Sequence, residues 1–210
     1  MVKKLIIILF LLSVYAYGQC CFSGPISTRM GVKAGVNYCV VDADDDLGKL
    51  DGFGWHIGLG MGTDILDFLA IDIAPQIRST VYSRTVDIIG LPVTTSRSFT
   101  NIYLPVLLSL KAGMVPLMSP YFGIGIAGNF QLDGTIRIES GGPAIEDDID
   151  ELENDLFFIA ALGVEIKLIK LKISPEVSLN YNLTADDPDT PDQTEKNYDI
   201  HLSVGLYCSL

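Results

Sequence analysis

The residues of this sequence whose types suit chemistry are two histidines and the acids near them. His56 and His201 are the only histidines, and the period-two pattern of their segments places them on one face with Asp199 and Glu176. An imidazole beside a carboxylate is suited to proton transfer near neutral pH. Neither a Ser-His-Asp spacing nor a metal-ligand spacing accompanies them. We interpret the histidines as polar fillers of an interior and predict a protein that is not an enzyme and carries no cofactor.

Two short motifs imitate ligand sites. The run "DADDD" places carboxylates at Asp42, Asp44 and Asp46, as the start of a calcium loop does, but Leu47 stands where the EF-hand needs glycine. These three aspartates therefore support a loose divalent site at most. The run "GIGIAG" (123–128) fits a dinucleotide-binding pattern, but strand-like sequence follows it where such a site needs a helix. We expect its glycines to keep an interior narrow.

Acidic residues are concentrated in three segments of the chain. The formal net charge is -12, and 18 of the 26 acidic residues lie in 42–51, 139–155 and 186–195. No basic patch is available to neutralise phosphates, so we expect no nucleic acid among the partners. The acidic segments are typical of solvated loops, and loops on a rigid scaffold are where a contact surface is expected.

The amino terminus reads as an export signal. Lys3 and Lys4 precede an apolar run of about a dozen residues, whereas a spanning helix needs about twenty. "AYG" then supplies a small-x-small cleavage signal. We predict a signal peptide over 1–18 and a short periplasmic segment over 19–28. A lipoprotein acylated at Cys20 is the alternative, although the preceding Gln19 fits it poorly.

The four cysteines do not have the spacing of a metal site. An exported chain reaches a compartment that permits disulfides. A bridge from Cys20 or Cys21 to Cys208 would join the two chain ends if both lie at one rim. Unpaired thiols are the alternative, and the sequence leaves both open.

Alternating strands must position these residues. In "LKISPEVSLNYNL" (171–183), apolar and polar residues alternate strictly, which is the pattern of a strand with two unlike faces. Similar patterns predict eight strands: Arg29–Val40, Phe53–Thr63, Phe68–Tyr82, Phe99–Lys111, Tyr121–Leu132, Leu156–Leu168, Leu171–Leu183 and Tyr198–Cys208. The connections alternate between long and short, as in an up-and-down barrel. One long connection, 144–155, has a spacing that predicts a turn or two of helix.

The composition of the two faces predicts a barrel with its polar face inside. The segments are longer than soluble strands, and the apolar face is nearly free of charge. The polar face carries many glycines, alanines and serines, as a narrow interior requires. Among them lie the residues that we expect to form a paired polar network in the lumen, because buried charges are tolerated only when paired: Lys33, His56, Asp72, Arg78, Lys111, Glu165, Lys167, Lys172, Glu176, Asp199 and His201.

These patterns predict an all-β fold, an eight-stranded antiparallel up-and-down transmembrane β-barrel over 29–210. Aromatic residues near the strand ends suggest interfacial girdles: Tyr38, Phe53, Trp55, Tyr82, Phe99, Tyr121, Phe122, Phe157, Tyr181, Tyr198 and Tyr207. Pro75, Pro105 and Pro175 lie inside strands, where each removes a ladder donor. At the prolines we expect β-bulges, or ladder positions that need no donor.

Four stretches resemble the PorT-type outer-membrane β-barrel family. They are "NIYLPVLLSLKAG" (101–113), "PYFGIGIAGNF" (120–130), "ALGVEIKLIKLKISPEVSLNYNL" (161–183) and "NYDIHLSVGLYCSL" (197–210). The resemblance implies an eight-stranded outer-membrane barrel with acidic loops outside and short periplasmic turns. One branch of the family takes part in protein secretion and gliding. The chain departs from the usual pattern at its last residue, since Leu210 stands where such barrels end in an aromatic residue.

We expect an integral outer-membrane barrel with a plugged lumen and a structural, adhesive or accessory role. Its expected partners are outer-membrane lipid and lipopolysaccharide, with other envelope or secretion proteins as further candidates, and we expect a monomer. One alternative is an accessory component of a secretion system, as the PorT resemblance implies. The other is a soluble secreted barrel that binds a small hydrophobic ligand, which would require the apolar face to point inward.

Overall fold

The described part of the chain is built from ten antiparallel strands. The computed structural model describes residues 26–42, 49–65, 68–88, 91–112, 117–139, 143–149, 154–168, 171–184 and 196–209. The strands are β1 Ile26–Asp42, β2 Lys49–Ile65, β3 Leu69–Ile73, β4 Gln76–Ile88, β5 Leu91–Lys111, β6 Met118–Glu139, β7 Ile145–Asp148, β8 Asn154–Leu168, β9 Leu171–Asn182 and β10 Lys196–Ser209. Within these ranges, no helix is long and apolar enough to cross a membrane.

The ladders form a closed cycle. β1 pairs with β2 and β10, and β10, β9, β8 and β6 pair in turn. β6 pairs with β5, and β5 returns to β2 through β3 and β4. The strands are staggered around the cycle. If one starts at Ile126 of β6 and steps from each residue to its partner on the next strand, one full circuit returns to β6 at Arg137, eleven residues further along the chain. Such a stagger means that the strands are tilted.

Proline residues interrupt the ladders without shifting the register. β3 and β4 both pair with β2 and β5 and are separated by Ala74 and Pro75, so one predicted strand is observed as two. Pro105 lies in β5 beside this break, and its carbonyl accepts a bond of 3.2 Å from the Ala74 amide. Pro175 leaves a similar gap between the pairs Gly163–Glu176 and Ile166–Ile173 of β8 and β9. Each proline lacks one N–H, which accounts for the gaps.

Of the two arrangements expected at these prolines, β-bulges or ladder positions that need no donor, the β-bulges are not observed. The β5–β6 ladder shifts between Thr100 and Asn101 instead, several residues from Pro105. Ladder gaps in a continuous register therefore replace the expected bulges.

Two connections differ from the sequence-based expectation. β4 and β5 continue as a hairpin to Ile88 and Leu91, so only two residues separate strands for which a long connection was expected. The predicted helical turn in 144–155 is wrong at its start, because Ile145–Asp148 forms β7 and pairs with Thr135–Ile138 of β6. The long β6 extends beyond β8, and its unpaired edge offers β7 backbone partners that outweigh a weak helical spacing.

The two faces of the sheet have inverted polarity. Among the described residues, twenty buried side chains are polar or charged and twelve are apolar, whereas forty large hydrophobic side chains are exposed. The inner face of this sheet is therefore the polar one. This is the reverse of a soluble domain, which buries its apolar residues and rarely exposes a large apolar patch. Met61 is an exception to the outward apolar pattern, since it is only 7% exposed.

Aromatic side chains divide between the faces. Exposed rings lie toward the strand ends: Tyr38, Phe53, Trp55, Phe122, Phe130, Phe158 and Tyr181. Phe157 and Tyr207 are buried, and the Tyr121 hydroxyl donates to Glu176, so these three do not belong to an outer girdle as expected. Their position near strand ends did not determine their face.

Glycines on the inner face make room for large polar and aromatic side chains. A Cβ atom on Gly60 or Gly205 would clash with the Tyr207 ring, and one on Gly163 would clash with the Tyr121 ring. The small residues of the polar face therefore let long side chains fill the interior instead of leaving it open.

Candidate functional site

Arg29 lies at the centre of an ion cluster near the end of the sheet at which β2 is followed by β3 and β8 by β9. Its Nη1 atom is 2.7 Å from Asp64 Oδ1 and 2.6 Å from Glu165 Oε2, and its Nη2 atom is 2.5 Å from Asp72 Oδ1. The Arg29 and Glu165 side chains are 7% and 3% exposed. One guanidinium thus binds carboxylates of the consecutive strands β2 and β3 and of β8, which is far from both in sequence.

Two lysines complete what we call the Arg29 cluster. Lys111 Nζ is 2.6 Å from Asp64 Oδ1 and 2.8 Å from Glu165 Oε2, and Lys172 Nζ is 3.0 Å from Asp64 Oδ2. The cluster therefore pairs three cations with three carboxylates, so its formal charges cancel.

Lys167, expected in the lumen, has a side chain that is 46% exposed and lies 3.9 Å from Glu165 Oε1. It lies at the end of β8, where a long side chain reaches solvent, so it approaches the cluster from the edge of the interior.

A second charged group lies further along the interior. Lys33 Nζ is 2.6 Å from Glu176 Oε1, and the Tyr121 hydroxyl donates to Glu176 Oε2 at 2.8 Å. The same hydroxyl lies 3.1 Å from the Ser174 hydroxyl. Lys33 and Glu176 are thus paired, and the group joins β1 to β9, which lie on either side of β10.

The third group is centred on Arg78 and Asp199. Arg78 Nη2 is 2.6 Å from Asp199 Oδ2 and donates to the sulfur of Cys39 at 3.0 Å. Arg78 Nε also donates to the Thr80 hydroxyl at 3.2 Å. Both charged side chains are almost wholly buried, which is tolerated only because they are paired.

The two histidines lie together beside this group. The rings of His56 and His201 stack with centroids 5.0 Å apart, and His201 also contacts the Tyr103 ring at 5.4 Å. His201 Nε2 lies 3.9 Å from Asp199 Oδ2, which is beyond hydrogen-bonding distance. Both imidazoles are nearly inaccessible, at 2% and 3% exposure, so no substrate reaches them in this arrangement.

Apolar side chains fill the remaining part of the interior. Six buried residues from β5, β6 and β8 form one cluster: Tyr103, Leu107, Ala127, Phe157, Ile159 and Ala161. Two interior cavities, lined in part by Lys33, Glu176 and Leu107, have volumes of about 10 and 20 Å³. Each is large enough for a water molecule and not for a larger solute.

Several predicted site residues fall outside the described part of the chain. Asp44 and Asp46 are outside the described residues, and only the backbone of Asp42 is described. The loose divalent site therefore stays a prediction. Among the described residues, no group of three or more His, Cys, Asp or Glu side chains is placed to hold a metal ion. Cys20 and Cys21 also lie outside, as does the predicted signal peptide. Cys208 is exposed, and its pairing with Cys21 stays a prediction.

Comparisons with known proteins find similar folds but no family. No family model matches the chain, and no curated protein matches it. It is similar to the solved structure of Neisserial surface protein A, with 14% identity, a TM-score of 0.44, and coverage of 85% of this chain and 96% of that chain. The resemblance to the PorT-type family therefore stays a prediction.

Two further solved structures are similar at the same level. One is the outer membrane protein OprG from Pseudomonas aeruginosa, with 12% identity, a TM-score of 0.46, and coverage of 88% and 96%. The other is Ail, the attachment invasion locus protein of Yersinia pestis, in complex with the heparin analogue sucrose octasulfate, with 11% identity, a TM-score of 0.42, and coverage of 87% and 99%. Similarity this weak does not establish a shared function, so function must be argued from the residues of this chain.

The interior charges are arranged to hold the sheet closed. The three charged groups link strands that are two or three positions apart in the cycle, such as β1 with β8 and β4 with β10. Such an arrangement suits a structural interior better than a catalytic or transport site, since each charge already has a protein partner. The surfaces that remain free to act are the exposed apolar face and the ends of the strands.

Proposed function

We propose that this protein is an integral outer-membrane protein, an eight-stranded up-and-down β-barrel with a plugged lumen and a structural, adhesive or accessory role. In this interpretation β3 and β4 together form one membrane-crossing strand, and β7 is an extension outside the barrel. The predicted signal peptide would bring the chain to the outer membrane, where lipid and lipopolysaccharide are its first partners.

The inverted polarity of the sheet is the observation that carries this proposal. Leu202 is 55% exposed and Ile57 49% exposed, whereas Arg78 and Asp199 are buried. Exposed apolar residues on every long strand would be costly in water but are favourable against hydrocarbon. A closed set of ladders also satisfies the backbone, as a spanning structure requires.

The filled interior supports a role other than bulk diffusion. Eight strands leave an interior just wide enough for side chains. Here the Arg29 cluster, the Lys33–Glu176 pair and the Arg78–Asp199 pair occupy it, with small cavities beside them. Action would then fall to the acidic connections at the other end of the barrel, as a contact surface for envelope or secretion proteins.

Heat-modifiability of the protein in the outer-membrane fraction tests this proposal. We expect the protein to stay in the membrane pellet after a carbonate wash and to migrate differently on a denaturing gel before and after boiling, because a closed barrel resists detergent unfolding. Recovery in the soluble fraction, with no change in migration on boiling, would contradict the proposal and favour a soluble barrel that binds a hydrophobic ligand.

A further inference from the structure

A groove crosses the exposed apolar face on one side of the barrel. It has a volume of about 660 Å³, within the range of about 300–1,000 Å³ that ligand pockets occupy. It is lined mainly by apolar side chains of β1, β6, β8, β9 and β10. Unlike the interior cavities, it opens outward, toward the surroundings of the exposed face.

The groove follows one transverse row of proline, valine and alanine side chains. Pro120 lies opposite Val164, Pro175 opposite Val204, and Val204 opposite Ala34. We call this row of five residues the trough. Because it crosses five strands at a spacing of about 4.8 Å, it is about 19 Å long.

Rows of apolar side chains lie on both sides of the trough. One bordering row contains Leu162, Val177, Leu202 and Val36, each at least 40% exposed, and the other contains Met118, Ile166, Ile173, Leu206 and Val32. The groove is lined by the trough and by the first of these rows, and the prolines and the alanine have shorter side chains than the leucines of that row.

The prolines also explain why the trough lies at this place. Pro175 gives up a ladder bond to β8, and its ring presents a short, rigid surface where a longer side chain would fill the gap. Beneath the trough, Glu176 is already paired with Lys33 and Tyr121, so it offers no free charge to a polar ligand. The chemistry of the site is therefore that of a hydrocarbon chain.

We propose that the trough binds one acyl chain of a bilayer phospholipid. This inference depends on the proposed function, since the trough is continuous with the apolar band that would face lipid. Because the strands are tilted, the trough is inclined to the membrane normal. On β1 it ends at Ala34, four residues before Tyr38, which is an exposed aromatic residue near the outer end of the strand. Its length of about 19 Å exceeds the roughly 15 Å of one leaflet of a hydrocarbon core about 30 Å thick, so a whole chain fits along it.

Native mass spectrometry with a filled trough tests the inference. Folded protein in detergent is incubated with dimyristoylphosphatidylethanolamine, and the lipid that stays bound is followed as the collision energy rises. Val204→Phe fills the trough, whereas Val106→Phe makes the same change on the exposed face of β5, away from the trough. We expect the wild type and Val106→Phe to retain a one-lipid adduct at energies at which Val204→Phe has lost it.

The controls separate this inference from the proposed function. The gel shift on boiling is measured first for every variant, and a wild type without it would refute the barrel itself. If Val204→Phe fails to fold, Ala34→Phe fills the trough from β1 in its place. Equal lipid retention by the folded trough and control variants would overturn the inference. So would a protein dimer that the trough variant alone abolishes, because a second copy would then be the occupant.

Discussion

Replacing Leu202 with arginine is expected to destabilise the folded protein in a bilayer by about 2–4 kcal/mol, the cost of a cationic side chain near the midplane of a barrel's lipid face. Leu202 is 55% exposed and lies between Val36 and Val177 in the middle of the apolar band. The measurement is the denaturant midpoint of the folded form in liposomes, followed by the gel shift.

A matched change at the rim is the control for Leu202→Arg. Ile138 is also exposed, but it lies in the part of β6 that extends past β8 and pairs with β7. Near an interface, arginine costs only about 0–1 kcal/mol. If Leu202→Arg cost no more than Ile138→Arg, both changes would behave as surface substitutions in water, and the lipid-facing assignment would be wrong.

Replacing Arg29 with methionine is expected to cost about 3–5 kcal/mol, because it leaves buried carboxylates without their shared partner. Arg29 contacts Asp64, Asp72 and Glu165, and after the change Lys111 and Lys172 would still pair with Asp64 and Glu165, whereas Asp72 would lose the ion pair that it makes with Arg29. The methionine keeps most of the aliphatic stem, so the loss reports charge pairing more than packing. The same liposome unfolding assay measures it.

The chain offers a matched arginine for comparison. Arg137 Nη2 is 2.6 Å from Glu139 Oε1, but the two side chains are 55% and 50% exposed. An exposed pair contributes about 0–1 kcal/mol, so Arg137→Met should change little. Adding Asp72→Asn to Arg29→Met should recover part of the loss, since Asp72 is the acid whose ion pair with Arg29 is lost. Equal costs at Arg29 and Arg137 would contradict the idea that the cluster holds the barrel together.

Period-two alternation was enough to predict which face most side chains occupy. In β9 the predicted inward residues Ser174, Ser178 and Asn180 are buried, and the predicted outward Val177 and Leu179 are exposed. Successive residues of a strand point to opposite faces, so a regular alternation over a dozen residues determines which face each side chain occupies. Aromatic residues such as Tyr207 were predicted from their place along the strand and not from this alternation, and the face predicted for Tyr207 is wrong.

The pairing of the charges could not be predicted from the sequence. Arg29 and Glu165 are 136 residues apart, and their contact depends on the closure and stagger of the whole sheet. The β7 strand was missed for a related reason, because it is stabilised by the extension of β6 and not by its own weak pattern. At Pro175 the sequence left open a bulge or a ladder position that needs no donor, since it shows the missing donor but not how the ladder accommodates it.

Quenching of the fluorescence of Trp55 is the most direct test of the central claim that the exposed apolar face contacts lipid. Trp55 is the single tryptophan of the chain and is 51% exposed on β2, near Phe53 and Tyr38 toward the outer end. A ring there would lie at the membrane interface. In liposomes, we expect strong quenching by lipids brominated near the headgroup end of the acyl chain and weak quenching by aqueous iodide. Strong iodide quenching with no effect of brominated lipid would contradict the account.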